Sequence, residues 1–118
     1  MKKTIYLLIF LAAISCKKKD GFWELRDIDG KIVGAETVEK KKKFIDEYFE
    51  VANEYFHYLC KVNNGQAYDH LPLGMQLKSS ASMVDNSAEV FSYFMENVEK
   101  HPALNKLFYE NQVDCSLK

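Results

Sequence analysis

The chain has 118 residues, 16 basic and 17 acidic side chains for a formal net charge of −1, a hydrophobic fraction of 47% and three cysteines. That is enough apolar material for one packed domain, too short for two, and too hydrophobic for a chain that stays unfolded. The small total charge hides a split: residues 17–43 hold nine basic and six acidic side chains, whereas residues 44–118 hold five basic and eleven acidic ones. An acidic body is repelled by phosphate polymers, so nucleic acid is not an expected partner.

At the amino terminus, Lys2 and Lys3 lead into an apolar run from Ile5 to Ile14, followed by Ser15, Cys16 and the polar string Lys17, Lys18, Lys19, Asp20. Such a run rises only about 15 Å as a helix, half the hydrocarbon thickness of a bilayer, and so reads as a cleavable export signal rather than a span. Ala13, Ile14, Ser15 and Cys16 resemble the lipobox of bacterial lipoprotein signal peptides cut by signal peptidase II, a resemblance confined to residues 1–20. It departs from the usual pattern in having Ala13 where leucine is common, with Leu11 two positions early. The alternative is an ordinary small-x-small cleavage after Ser15, which exports Cys16 as an unpaired thiol.

The resemblance implies that the Cys16 thiol receives a diacylglyceryl group and becomes the new amino terminus, and that this covalent lipid ties the protein to a membrane. It implies a cleaved signal over 1–15 and a lipidated cysteine and tether over 16–21; the remaining length, 22–118, is expected to be one domain, read as helical from the patterns below. The mature chain then carries 14 basic and 17 acidic side chains, a formal charge of −3. Lys17 stands where an acidic residue favours inner-membrane retention, which directs the expectation to the outer membrane, at its periplasmic face or the cell surface.

Next in order, Phe22 to Ile28 and Lys31 to Gly34 flank Asp29-Gly30, a pair suited to a type I′ turn, so an amino-terminal β-hairpin anchored by Trp23 is expected. The same stretch partly fits a twelve-residue calcium loop. With Leu25 at position one, Asp27, Asp29, Gly30, Ile32 and Glu36 fall at positions three, five, six, eight and twelve. Leu25 offers no oxygen at the first position, so Asp27, Asp29 and Glu36 make a weak calcium candidate beside the simpler hairpin turn.

Residues 37–62 carry the clearest periodicity. At 100° per residue, Phe44, Ile45, Tyr48, Phe49, Val51, Ala52, Tyr55, Phe56, Tyr58, Leu59, Cys60 and Val62 share an arc of about 200°, and polar residues fill the rest. This predicts a long amphipathic helix stopped by Asn63-Asn64-Gly65. Lys40, Lys41, Lys42 and Lys43 surround its first turn, against the helix dipole. Either they are solvated or, with Lys17, Lys18 and Lys19, they face anionic head groups.

Residues 66–85, with Pro72, Gly74 and Ser79-Ser80-Ala81-Ser82, read as a long connection containing at most one helical turn. A capping box of Asn86 and Glu89 predicts a second helix over 87–100, its inner face lined by Val90, Phe91, Phe94, Met95 and Val98. Pro102 opens a third helix to about residue 112, with Leu104, Leu107 and Phe108 inward. If lipid takes Cys16, Cys60 and Cys115 remain as an even pair in a compartment where disulfides persist. The alternative is two separate buried thiols. The expected fold is mainly α, a small three-helix bundle with an N-terminal β-hairpin.

No two of His57, His70 and His101 stand at metal-ligand spacing, the cysteines lack a zinc pattern, and the serines lack a nucleophile elbow. No enzyme is expected. The leading expectation is a lipid-anchored interaction protein with a protein partner, an inhibitor or immunity-type binder by analogy of size and location. The alternatives are an assembly lipoprotein of a larger envelope complex and a small-ligand or calcium carrier.

Overall fold

The computed structural model describes residues 21–117; Cys16, Lys17, Lys18 and Lys19 lie outside them. Among the described residues five helices follow in order: α1 (Gly21–Gly34), α2 (Val38–Val62), α3 (Leu71–Met83), α4 (Ala88–Lys100) and α5 (Pro102–Glu110). Two short strands complete them, β1 (Tyr68–Asp69) and β2 (Gln112–Val113), paired antiparallel with Tyr68 opposite Val113. The domain is a helical bundle, but the expected three helices and amino-terminal hairpin are both overturned. The described residues form five helices, and the ribbon joins the α2–α3 loop to the carboxy-terminal segment.

The long helix forms where the periodicity places it. Thr37 caps it, Oγ1 accepting from the Lys40 amide at 3.2 Å, and the left-handed Asn64 and Gly65 follow its end. Ile45, Tyr48, Phe49, Ala52, Phe56 and Leu59 are buried on one face. Against them α4 brings Phe94, whose ring centroid lies 5.5 Å from Tyr48 and 4.9 Å from Phe49. Burying each such side chain contributes about 1.5–3 kcal/mol, so this cluster is the main driver of the bundle. The cap of α4 lies one residue later than the expected box: Ser87, not Asn86, accepts from the Val90 amide. Glu89 instead reaches Lys42 at 3.4 Å. Phe91, expected inward, is exposed.

The hairpin expectation fails because its segment has a helical apolar set. Leu25, Ile28 and Ile32 are spaced at i, i+3 and i+7 and are all buried, while Asp29-Gly30 sits inside the helix and no turn forms. Burial against α2 outweighs the turn preference of two residues. Trp23, expected as the anchor, is 58% exposed. The buried Gly21 sets the approach instead: a Cβ there would stand 2.8 Å from the Tyr55 ring.

The expected connection over 66–85 also contains a full helix. Leu73, Leu77 and Ala81 recur every fourth residue and are buried, Pro72 occupies the first turn where its missing N–H costs nothing, and His70 Nδ1 accepts from the Leu73 amide at 3.1 Å. Gly74 is needed for packing. A Cβ there would meet the Leu107 carbonyl at 2.8 Å and collide with the Asn111 side chain, so α3 and α5 can approach only over a glycine. Cys60 and Cys115 form a disulfide with a Cα–Cα distance of 5.7 Å, closing the end of α2 onto the segment after β2.

Candidate functional site

A groove of about 860 Å³ runs between α1 and α3. One wall is the α1 face of Phe22, Arg26, Asp29 and Val33, and the other is the α3 face of Leu71, Met75, Gln76, Ser79 and Met83. Its rim is apolar and open to solvent: Val33, Leu71, Met75 and Met83 are each about half exposed. Single exposed apolar residues are ordinary, but four lining one groove make it the candidate site.

Beneath this rim lies a buried polar chain. Gln76 Nε2 donates to Asp29 Oδ2 at 2.6 Å and to Ser80 Oγ at 3.1 Å, and Ser80 Oγ donates back to the Gln76 carbonyl at 2.9 Å. The Tyr48 hydroxyl shares a hydrogen bond with Ser80 Oγ at 2.7 Å. The chain thus runs from the centre of the aromatic core to the floor of the groove. Burial pushes the Asp29 carboxyl above the usual carboxylate range, partly offset by its hydrogen bonds and by the Arg26 charge. Burial likewise raises the Tyr48 phenol. A carboxylate sunk in this way without a cationic partner in contact costs stability, and such groups concentrate at functional sites.

The arrangement suits recognition. Its apolar walls offer area, two methionines can repack around different shapes, and Arg26, Asp29 and Ser79 supply the polar groups that fix orientation.

The residues singled out in the sequence have varied fates. Asp27, Asp29 and Glu36 do not converge, because the first two lie in α1 and the third in the bend after it, so the calcium loop does not form. Among the described residues no group of three or more His, Cys, Asp or Glu side chains comes together as a metal site. Lys41 and Lys42 are tied into the fold. Lys41 Nζ donates to the Ile32 and Val33 carbonyls at 2.8 and 3.3 Å, capping the carboxyl end of α1 where a cation is favoured, and Lys42 also lies 5.2 Å over the Tyr93 ring. Lys40 and Lys43 are exposed. His57 is exposed on α2.

Sequence reasoning placed Asp29 in a turn and a calcium loop and missed its pairing with Gln76, along with Ser80 and the participation of Tyr48. The available signal was polar residues on otherwise apolar faces: Gln76 and Ser80 beside Leu73, Leu77 and Ala81, and Asp29 beside Leu25, Ile28 and Ile32. No family model, curated protein or solved structure matches the chain. Among the described residues, no helix is long and apolar enough to cross a membrane.

Proposed function

We propose that the chain is a lipid-anchored protein of the bacterial envelope, held through Cys16 at the outer membrane, whose helical domain binds a protein partner in the α1/α3 groove without catalysing a reaction. The observation that carries the binding role is the groove itself, with Val33, Leu71, Met75 and Met83 half exposed above the buried Asp29–Gln76 pair. An adaptable apolar wall with a fixed polar floor suits a segment that inserts apolar side chains and presents a hydrogen-bond donor to the carboxylate. The Cys60–Cys115 disulfide supports the location, since such bonds persist outside the reducing cytoplasm. The acidic surface of residues 44–118 adds attraction for a basic partner and repulsion for nucleic acid.

The test places a photo-crosslinking amino acid at Met75 in one strain and at His57, on the far side of α2, in another. A discrete protein adduct from Met75, absent from His57 and lost when Met83→Asp charges the groove, is the expected result. Equal adducts from both positions argue against the groove. A soluble enzyme as the adduct identifies an inhibitor, and membrane machinery identifies an assembly factor.

A further inference from the structure

We infer that the first turn of α1 is a bilayer-contact surface, with Trp23 seated in the head-group layer of an anionic membrane. Trp23 is the single tryptophan of the chain and is 58% exposed, at the end of the domain nearest the anchor. An indole held at a surface is at home where apolar chains meet wet head groups. Its orientation is fixed. The helix backbone is seated by Gly21 against Tyr55, the Phe22 ring meets the indole edge to face at 6.0 Å, and the Arg26 guanidinium lies 5.1 Å over it.

The length of chain before α1 brings this surface to the membrane. Only four residues separate Cys16 from Gly21, and the five Cα–Cα steps reach at most about 17 Å even when extended. A lipid on Cys16 therefore holds the first turn of α1 close to the head groups, whose layer is about 5–8 Å deep on each side. Over residues 17–27 four basic side chains, Lys17, Lys18, Lys19 and Arg26, stand against three acidic ones, Asp20, Glu24 and Asp27, and the positive end of the α1 dipole adds to the attraction for anionic lipid. Glu24 lies in that first turn and Asp27 just beyond it, both exposed, so the attraction rests on the indole and on a small basic excess. Because Phe22 and Arg26 also line the groove, one end of the binding site would open beside the bilayer. This inference rests on the lipid anchor proposed above.

The lone indole makes the idea directly measurable. The lipidated full-length mature protein is reconstituted in phosphatidylethanolamine–phosphatidylglycerol vesicles, floated through a density gradient, and its fluorescence quenched from either side. Brominated acyl chains should quench Trp23 and aqueous iodide should not, with emission shifted to the blue of the same protein in denaturant. Arg26→Glu should weaken the bromolipid quenching while the protein still floats; unchanged quenching would overturn the part given to Arg26 in the contact. Protein that floats with Trp23 open to iodide and untouched by bromolipid overturns the inference and leaves the anchor standing. Protein that does not float overturns the anchor, and this inference with it.

Discussion

The two sides of this small bundle are built by different means. On the α2/α4 side, aromatic rings fill the interior: Tyr48, Phe49 and Phe94 lie mutually within 5.5 Å between centroids, and Phe94 is fully buried. On the α1/α3 side the helices meet over a carboxylate, a carboxamide and a hydroxyl, and leave apolar side chains uncovered above them. The first arrangement gains free energy at each residue. The second gives some up, and it does so beside a groove with a buried ionisable floor. Tyr48 bridges the two, its ring in the aromatic cluster and its hydroxyl on Ser80.

If that division is correct, truncation on the aromatic side should be severe. Phe94→Ala is expected to cost about 3–5 kcal/mol, because it removes a ring and leaves a cavity among side chains that cannot close over it. Chemical denaturation with unchanged slope would show it. A loss under about 1 kcal/mol would mean that the cluster relaxes freely and is not the structural centre of the molecule.

A pair of glycine substitutions sharpens the contrast next. Both Gly30 and Gly74 lie inside helices, where alanine is intrinsically favoured by about 0.8–1.0 kcal/mol. At Gly30 an added Cβ meets nothing within 4 Å, so Gly30→Ala should be stabilising by about that amount. At Gly74 the Leu107 carbonyl and the Asn111 side chain stand in the way, and Asn111 is itself held by Lys78 and by the His70 amide. The sign should reverse there, with Gly74→Ala costing about 1–3 kcal/mol. Stabilisation at both sites would show that α3 and α5 are not in close contact.

These sites also show how far the sequence could be read. The α2 helix was legible because its polar and apolar arcs separate cleanly over Val38–Val62, and the disulfide because setting Cys16 aside for an expected lipid leaves an even pair. The α1 and α3 helices were not. Asp29-Gly30 carries a local turn preference, and Pro72, Gly74 and the serines carry a loop composition, yet each is overridden by a contact between residues distant in sequence. Asp29 is satisfied by Gln76, Ser80 by Tyr48, and Gly74 is required by Asn111. The same partners make the candidate site, so what hid these helices from a local reading also hid the groove between them.

A smaller effect tests the entry to the groove wall. His70 caps α3 by accepting from the Leu73 amide through Nδ1, which it can do only when that nitrogen is unprotonated, and its burial holds the imidazole below the ordinary histidine value. The folded state therefore binds fewer protons than the unfolded one. The cap's contribution is complete above the unfolded value of 6.5 and is lost as pH falls from there toward the folded pKa. His70→Asn keeps a capping oxygen without a titrating group, so it should match wild type near neutrality and lose less stability in mild acid. His70→Ala should cost about 1 kcal/mol at neutral pH. Parallel pH profiles for wild type and His70→Asn would exclude the cap as a titrating element.

The smallest effect is also the one that separates the two sides by sign. Asp29 has its pKa raised above the unfolded value of 3.8, chiefly by burial. The folded state holds the proton more tightly, so its contribution to stability is greatest below pH 3.8 and is lost as pH rises toward the folded pKa. At neutral pH the charged, sunken carboxylate is thus a liability, whereas every substitution at Phe94 removes an asset. Asp29→Asn keeps an oxygen to accept from Gln76 Nε2 and removes the charge, so its melting temperature should exceed that of wild type at pH 7 and the gap should shrink in acid. A variant that is more stable yet loses the Met75 crosslink would identify the carboxylate as a group kept for binding at the expense of stability. If Asp29→Asn is instead less stable at every pH above 4, then Gln76 and Arg26 more than repay its burial, and the polar chain belongs to the scaffold as fully as the aromatic cluster does.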